Sequence, residues 1–289
     1  MTINEVIQLL GIAWCYPTLK PISRSLHGTI YRFMGTNEYV QLASADPAAG
    51  MRIYWMELVG RIHLAGATAF LRQERWLQAM VSAACGSNYL AFAAAFRGLL
   101  ESAADIYDSL NGVPTMLLTN RPMIEKALKG ELSERVESQD LENKLLHYSH
   151  ARKPLPNEPR PPDAQIAKQS RICITRLQGS PSGALHDCYA ELCNIAHPAA
   201  LSVLAFLQPT SDEELHLRAD LDPDQIRALT LTHAEALSIS IEAGLNLAVM
   251  LLACLNNLRH HDSVTPIIST LDLSNIGLWK TIGPALEAR

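Results

Sequence analysis

Leu90-Ala-Phe-Ala-Ala-Ala-Phe-Arg97-Gly-Leu-Leu-Glu101-Ser-Ala-Ala-Asp105-Ile-Tyr-Asp108-Ser-Leu110 reads as a helix by composition and by period. Alanine and leucine are strong helix formers, Ser87 is placed as an N-cap, and Asn111-Gly112 is a typical stop. At 100° per residue, Phe96, Leu99, Leu100, Ala103, Ile106, Tyr107 and Leu110 share one side. Arg97, Glu101, Asp105 and Asp108 line the other. An apolar side of this length must be covered by other elements. The charged stripe then faces either solvent or a polar cleft, because lone buried charges are costly.

Working outward, most long segments have the same Ala/Leu-rich helical period. Helices are predicted over Ile3–Trp14, Pro21–Phe33, a long stretch from the Asp46-Pro47 cap to Cys85 with a break near Gly66, Pro122–Leu128 and Leu132–Tyr148. Five prolines between Arg152 and Asp163 exclude helix and predict an exposed, extended loop. Helical patterns resume over Ala164–Leu177, Ser182–Ala196, Ala199–Leu207 and Asp224–Leu258, with a short helix in the tail. Glu214–Ala219 alternates like a strand, with no partner evident. The expected fold is an all-α multi-helix bundle. It forms one domain over 1–289, with N-terminal helices 1–85 packed on a core of 86–260 and 152–163 as a loop.

The 289 residues are 48% hydrophobic and 18% charged, which predicts a folded chain rather than a disordered one. A net charge of −5 advertises no broad basic surface for duplex nucleic acid. The six cysteines include no CxxC pair and read as reduced thiols of a cytoplasmic protein. The N-terminal residues lack the pattern of a signal peptide. The most apolar stretch, Leu237–Leu255, is interrupted by Glu242 and Asn246 and reads as a buried helix rather than a membrane span. Glycine-rich nucleotide loops, GxSxG, HExxH and Glu-x-x-His pairs are missing, so no cofactor or metal is predicted.

Chemistry-bearing side chains converge on the helix ending at His197-Pro198. His186, Tyr189, Ala190, Cys193 and His197 fall on one stripe. Cys193 and His197, one turn apart, supply two metal ligands at most, and zinc needs four. His186 lies roughly 16 Å from His197 along the axis. Pro198 restricts the backbone of His197. The alternative for these residues is a buried structural network satisfied by hydrogen bonds.

Ala95-Phe-Arg97-Gly-Leu-Leu-Glu101 and Tyr189-Ala-Glu-Leu-Cys-Asn-Ile-Ala-His197-Pro198 together resemble an uncharacterised bacterial family of all-helical proteins related to the HEPN superfamily. The resemblance covers roughly residues 85–205. It implies a HEPN-like core with extra N-terminal and C-terminal helices, a tendency to dimerise, and association with RNA or nucleotides, sometimes in bacterial defence or toxin–antitoxin systems. Ribonuclease members carry an arginine four to six residues before the histidine. Here those positions hold Ala190, Glu191 and Leu192, and a glutamate repels phosphate. The expectation is therefore a non-catalytic or degenerate module that binds RNA, a nucleotide or a protein partner. Its binding residues are Arg97, Glu101, Tyr189 and Asn194. Two alternatives stand beside it: a metal-independent ribonuclease with His197 as the catalytic acid/base, and a helical assembly subunit. A homo-oligomer is expected from the excess of apolar helix surface.

Overall fold

The computed structural model describes residues 1–198, 200–211 and 214–287. The chain is an all-α, multi-helix protein, 69% helical. Helix α1 covers Ile3–Leu9, opened by a capping box between Thr2 and Glu5. It stops well short of Trp14 because Gly11 takes a left-handed φ of 66°. Helix α2 (Tyr16–Leu26) begins before Pro21 and carries that proline inside it, ending ahead of Gly28 at φ 80°. Helix α3 (Thr36–Ala45) gave no clear sequence signal.

Helix α4 (Pro47–Cys85) starts as read, with the Asp46 carboxylate accepting from the N–H groups of Ala48 and Ala49 at 3.1 and 3.0 Å. It does not break at Gly66. That glycine leaves room for the side chains of Leu251 and Leu252, 3.3 Å from where a Cβ would stand. Helix α5 (Tyr89–Leu110) is capped by Asn88, which accepts from the Ala91 N–H at 2.9 Å. The expected cap, Ser87, instead turns the chain at φ 49°.

Helix α6 (Val113–Lys129) starts earlier than the proline signal at Pro122 suggested, and α7 (Gln139–His150) starts later than Leu132. The proline-rich stretch is extended as expected. It is pinned by an ion pair of Arg152 with Glu158 at 2.6 Å and by a parallel bridge from Arg152 to Ile166. Helices α8 (Ser170–Gln178), α9 (Ala184–Ala196) and α10 (Ala200–Leu204) follow. Ala199, the expected first residue of α10, lies outside the described residues. The alternating segment does have a partner: β1 (Leu207–Ser211) pairs antiparallel with β2 (Glu214–Leu217). The single helix expected over 224–258 is two, α11 (Asp222–Thr232) and α12 (Ala234–Asn256), separated at His233. Helix α13 (Trp279–Glu287) closes the described chain.

The residues group into two compact units, each assembled from separate stretches of sequence. The first takes 1–20, 71–108 and 169–245. Its core includes Leu77, Met80, Phe92, Phe96, Leu99, Ile174, Leu185, Leu192 and Ile226, all fully buried. The second takes 21–70, 109–168 and the chain from Asn246 onward, around Trp55, Ile62, Phe70, Leu117, Ile124 and Leu251. Ala234–Asn256 is long and apolar enough to cross a bilayer, but 72% of its most apolar window is buried in the protein.

Candidate functional site

All five sequence-derived site residues belong to the first unit, on α5 and from the middle of α9 to its C-cap. Arg97, Glu101 and Asp105 are spaced four apart and Asp108 three further, so all four project from one side of α5. On α9 the same spacing aligns Tyr189 and Cys193 with His197, the residue that ends the helix. His197 has φ −88° and ψ 155°, the extended backbone that a following proline imposes.

The two stripes meet. The Arg97 Nη1 donates to His197 Nε2 at 3.2 Å, and its Nε donates to Glu101 Oε1 at 3.1 Å. The guanidinium carbon lies 5.7 Å from the centre of the Tyr189 ring, within cation–π range. The Glu101 carboxylate and the Cys193 thiol both lie against the Tyr189 hydroxyl. As the acceptor of an N–H bond, Nε2 of His197 is unprotonated, which leaves the ring proton on Nδ1. Arg97 and Glu101 are about three-quarters buried, whereas His197 is exposed. Burial is the largest influence on Arg97 and would lower its pKa, but Glu101, Cys193 and Tyr189 together outweigh it and the pKa is raised. Burial, Glu101 and Cys193 together push the Tyr189 phenol up to about 12, so it is a neutral donor and not a base.

The rest of the α5 stripe is paired, and its Asp105 end is still partly open to solvent. Asp105 pairs with Arg72 of α4 at 2.8 Å, and Asp108, whose side chain is 1% exposed, pairs with Arg176 of α8. Each acid of the stripe therefore meets an arginine. Asn194 is exposed, and its side chain forms no hydrogen bond among the described residues. His186 leaves the expected stripe, bonding Thr175 on α8 through Nε2 at 3.1 Å. Glu191, the expected repellent of phosphate, is engaged by His233 at 2.8 Å. That contact is invisible in sequence because 42 residues separate the partners.

Among the described residues no group of three or more His, Cys, Asp or Glu side chains gathers as a metal site. His147 bonds the Ala164 carbonyl at 3.1 Å, and the free cysteines other than Cys85 and Cys193 are buried. The second unit holds a feature that periodicity did not flag. It is a cavity of about 770 Å³ lined by Tyr31, Arg32, Phe33, Arg52, Glu57 and His261 among others. Behind it the Tyr31 hydroxyl, buried His63 and Thr265 form a chain with two links of 2.8 Å. These residues come from distant segments with no shared motif, so no local pattern announces them.

In comparisons with known proteins, no family model, curated protein or solved structure matches the chain.

Proposed function

We propose that this protein is a HEPN-like helical module that binds RNA or a nucleotide through a phosphate group at Arg97 and His197, without cleaving it. The observation that carries the reading is the 3.2 Å contact between these two side chains, which are 100 residues apart in sequence. A guanidinium has five N–H donors, and Glu101 and His197 engage two of the Arg97 groups. Those left over suit the oxygens of a phosphate, for which arginine geometry is well matched. Exposed His197 offers its Nδ1–H beside them, and the Glu101 contact keeps the guanidinium oriented. Glu191 is anchored by a hydrogen bond to His233, which ties its carboxylate to the junction of α11 and α12.

Strand cleavage by the ribose hydroxyl needs one group to take a proton and another to give one. The cluster contains one imidazole, and its phenol, pushed up to about 12, lies far from the pH at which a general acid works best. Binding without turnover is the reading this chemistry favours. A structural reading also has an observation behind it, since the neighbouring Asp105–Arg72 and Asp108–Arg176 pairs tie three helices together.

The test is fluorescence anisotropy with a labelled single-stranded RNA, with ATP and GTP as competitors, on the wild type and on Arg97→Met and His197→Ala. Loss of a charge-assisted hydrogen bond worth about 1.5–3 kcal/mol predicts roughly 10–150-fold weaker binding for Arg97→Met. Metal-independent RNA degradation abolished by His197→Ala would instead make the protein a ribonuclease. No binding of any probe, with both variants merely less stable, leaves the structural network.

A further inference from the structure

The hairpin β1–β2 is an amphipathic ribbon with one blocked edge and one open edge. The Arg218 N–H donates to the Phe206 carbonyl at 2.7 Å, and the same register pairs Leu207 with Leu217, Gln208 with His216 and Pro209 with Leu215. Antiparallel ladders alternate bonded and non-bonded pairs. Gln208–His216 is therefore bonded, and the backbone groups of residues 207, 209, 215 and 217 point outward. On β1 that outward position is Pro209, which has no N–H, so β1 cannot extend the ladder there. On β2 the outward groups belong to Leu215 and Leu217, and they have no hydrogen-bond partner among the described residues.

The two faces differ as sharply. Gln208, Glu214, His216 and Arg218 share the polar face, joined by Arg218–Gln208 and His216–Glu214 contacts at 2.6 and 2.9 Å. Leu207, Pro209, Leu215 and Leu217 share the other, with Leu215 58% and Leu217 80% exposed. An isolated two-stranded ribbon is marginal in water, and naked leucines beside an open edge make it a pairing surface.

We infer that β2 pairs antiparallel with β2 of a second copy of this chain, about a two-fold axis at His216, to make a four-stranded sheet. The open edge is self-complementary in that register. Leu215 and the partner's Leu217 exchange backbone hydrogen bonds, and their side chains meet on the apolar face. On the polar face Glu214 lies opposite the partner's Arg218, which is the favourable sign, although each Arg218 is already paired with its own Asp220 at 2.6 Å and the added attraction is correspondingly modest. Sliding the pairing so that Leu217 faces the partner's Leu217 would set Glu214 against the partner's Asp220. The pairing is independent of any ligand at Arg97.

His216 faces the partner's His216 as a non-bonded pair, with Cα atoms about 4.5 Å apart, within reach of a disulfide. The test uses the full chain with exposed Cys85 changed to serine. Light scattering should give a dimer, and mild oxidation of His216→Cys should give a covalent dimer. Gln208→Cys, roughly 14 Å from its symmetry mate across three strand spacings, should not crosslink. Leu217→Lys should weaken association on the order of tenfold, with the helical circular dichroism unchanged. A monomer at 100 µM overturns the inference. So does a dimer that His216→Cys fails to crosslink or Leu217→Lys leaves intact, and so does a monomer whose leucines bind phosphatidylcholine vesicles instead.

Discussion

Substituting alanine for Gly244 puts a methyl group where α12 comes against α4 within the first unit. In an open helix interior, Gly→Ala stabilises by about 1 kcal/mol, because glycine loses more backbone freedom on folding. Here the added Cβ would stand 2.4 Å from Cδ, 2.7 Å from Nε2 and 2.8 Å from Cγ of Gln73. Gln73 is fully buried, so it has no solvent to swing into. Overpacking of that kind costs about 1–3 kcal/mol. Set against the propensity gain, Gly244→Ala should lose about 1 kcal/mol, a fall in Tm of roughly 2–4 °C. If Gln73 is first cut back to alanine, the obstruction is gone and Gly244→Ala should gain its usual ~1 kcal/mol. The two substitutions are thus coupled by about 2 kcal/mol, readable from urea or thermal melts of the four proteins in a double-mutant cycle. Additive effects, or an outright stabilisation by Gly244→Ala in the wild-type background, would show that the two helices are not held this close.

Two further outcomes follow from caps and buried imidazoles, alongside the RNA-binding and crosslinking tests above. Asp46→Ala removes the acceptor for two first-turn N–H groups of α4 and should cost about 1 kcal/mol in a urea melt, while Asp46→Asn should cost little. Burial, reinforced by neighbouring His261, lowers the pKa of His63, and burial lowers that of His261 itself. Each imidazole therefore stays neutral in the fold at pH values where the unfolded chain, near 6.5, takes up a proton. The unfolded state binds more protons there, so stability is full above about pH 6.5 and falls as the pH drops through it. Urea midpoints measured from pH 8 to 5 should decline, and His63→Gln should flatten the decline. A flat wild-type curve would refute the neutral assignment.

The helices that could be read from sequence are those whose ends carry their own chemistry. Asp46-Pro47 opens α4 because capping is decided within a few residues, and α5 ends ahead of Asn111-Gly112 as read, although Gly112 stays right-handed at φ −84° instead of making a left-handed turn. Misjudged ends have equally local causes seen only in coordinates. Gly11 and Gly28 turn the chain through positive φ, and His233 divides what reads as one apolar helix into α11 and α12. Strand β2 was legible from its alternation. Its mate was not, because Leu207-Gln-Pro-Thr-Ser211 contains a proline and alternates poorly. For the site, the four-residue spacings foretold which side chains would share each helix face, although His186 turned instead to Thr175.

Sequence by itself determined that this chain is built from helices, where the charged stripe of α5 lies, and that Tyr189, Cys193 and His197 align above a proline. These follow from the 3.6-residue period and from backbone rules that act within a few residues. Only the tertiary structure decided that Arg97 reaches His197, that Asp105 and Asp108 are met by Arg72 and Arg176, and that Glu191 is taken up by His233. Such pairings join residues 33 to 100 positions apart. They depend on how buried faces stack side by side, which no single helix specifies.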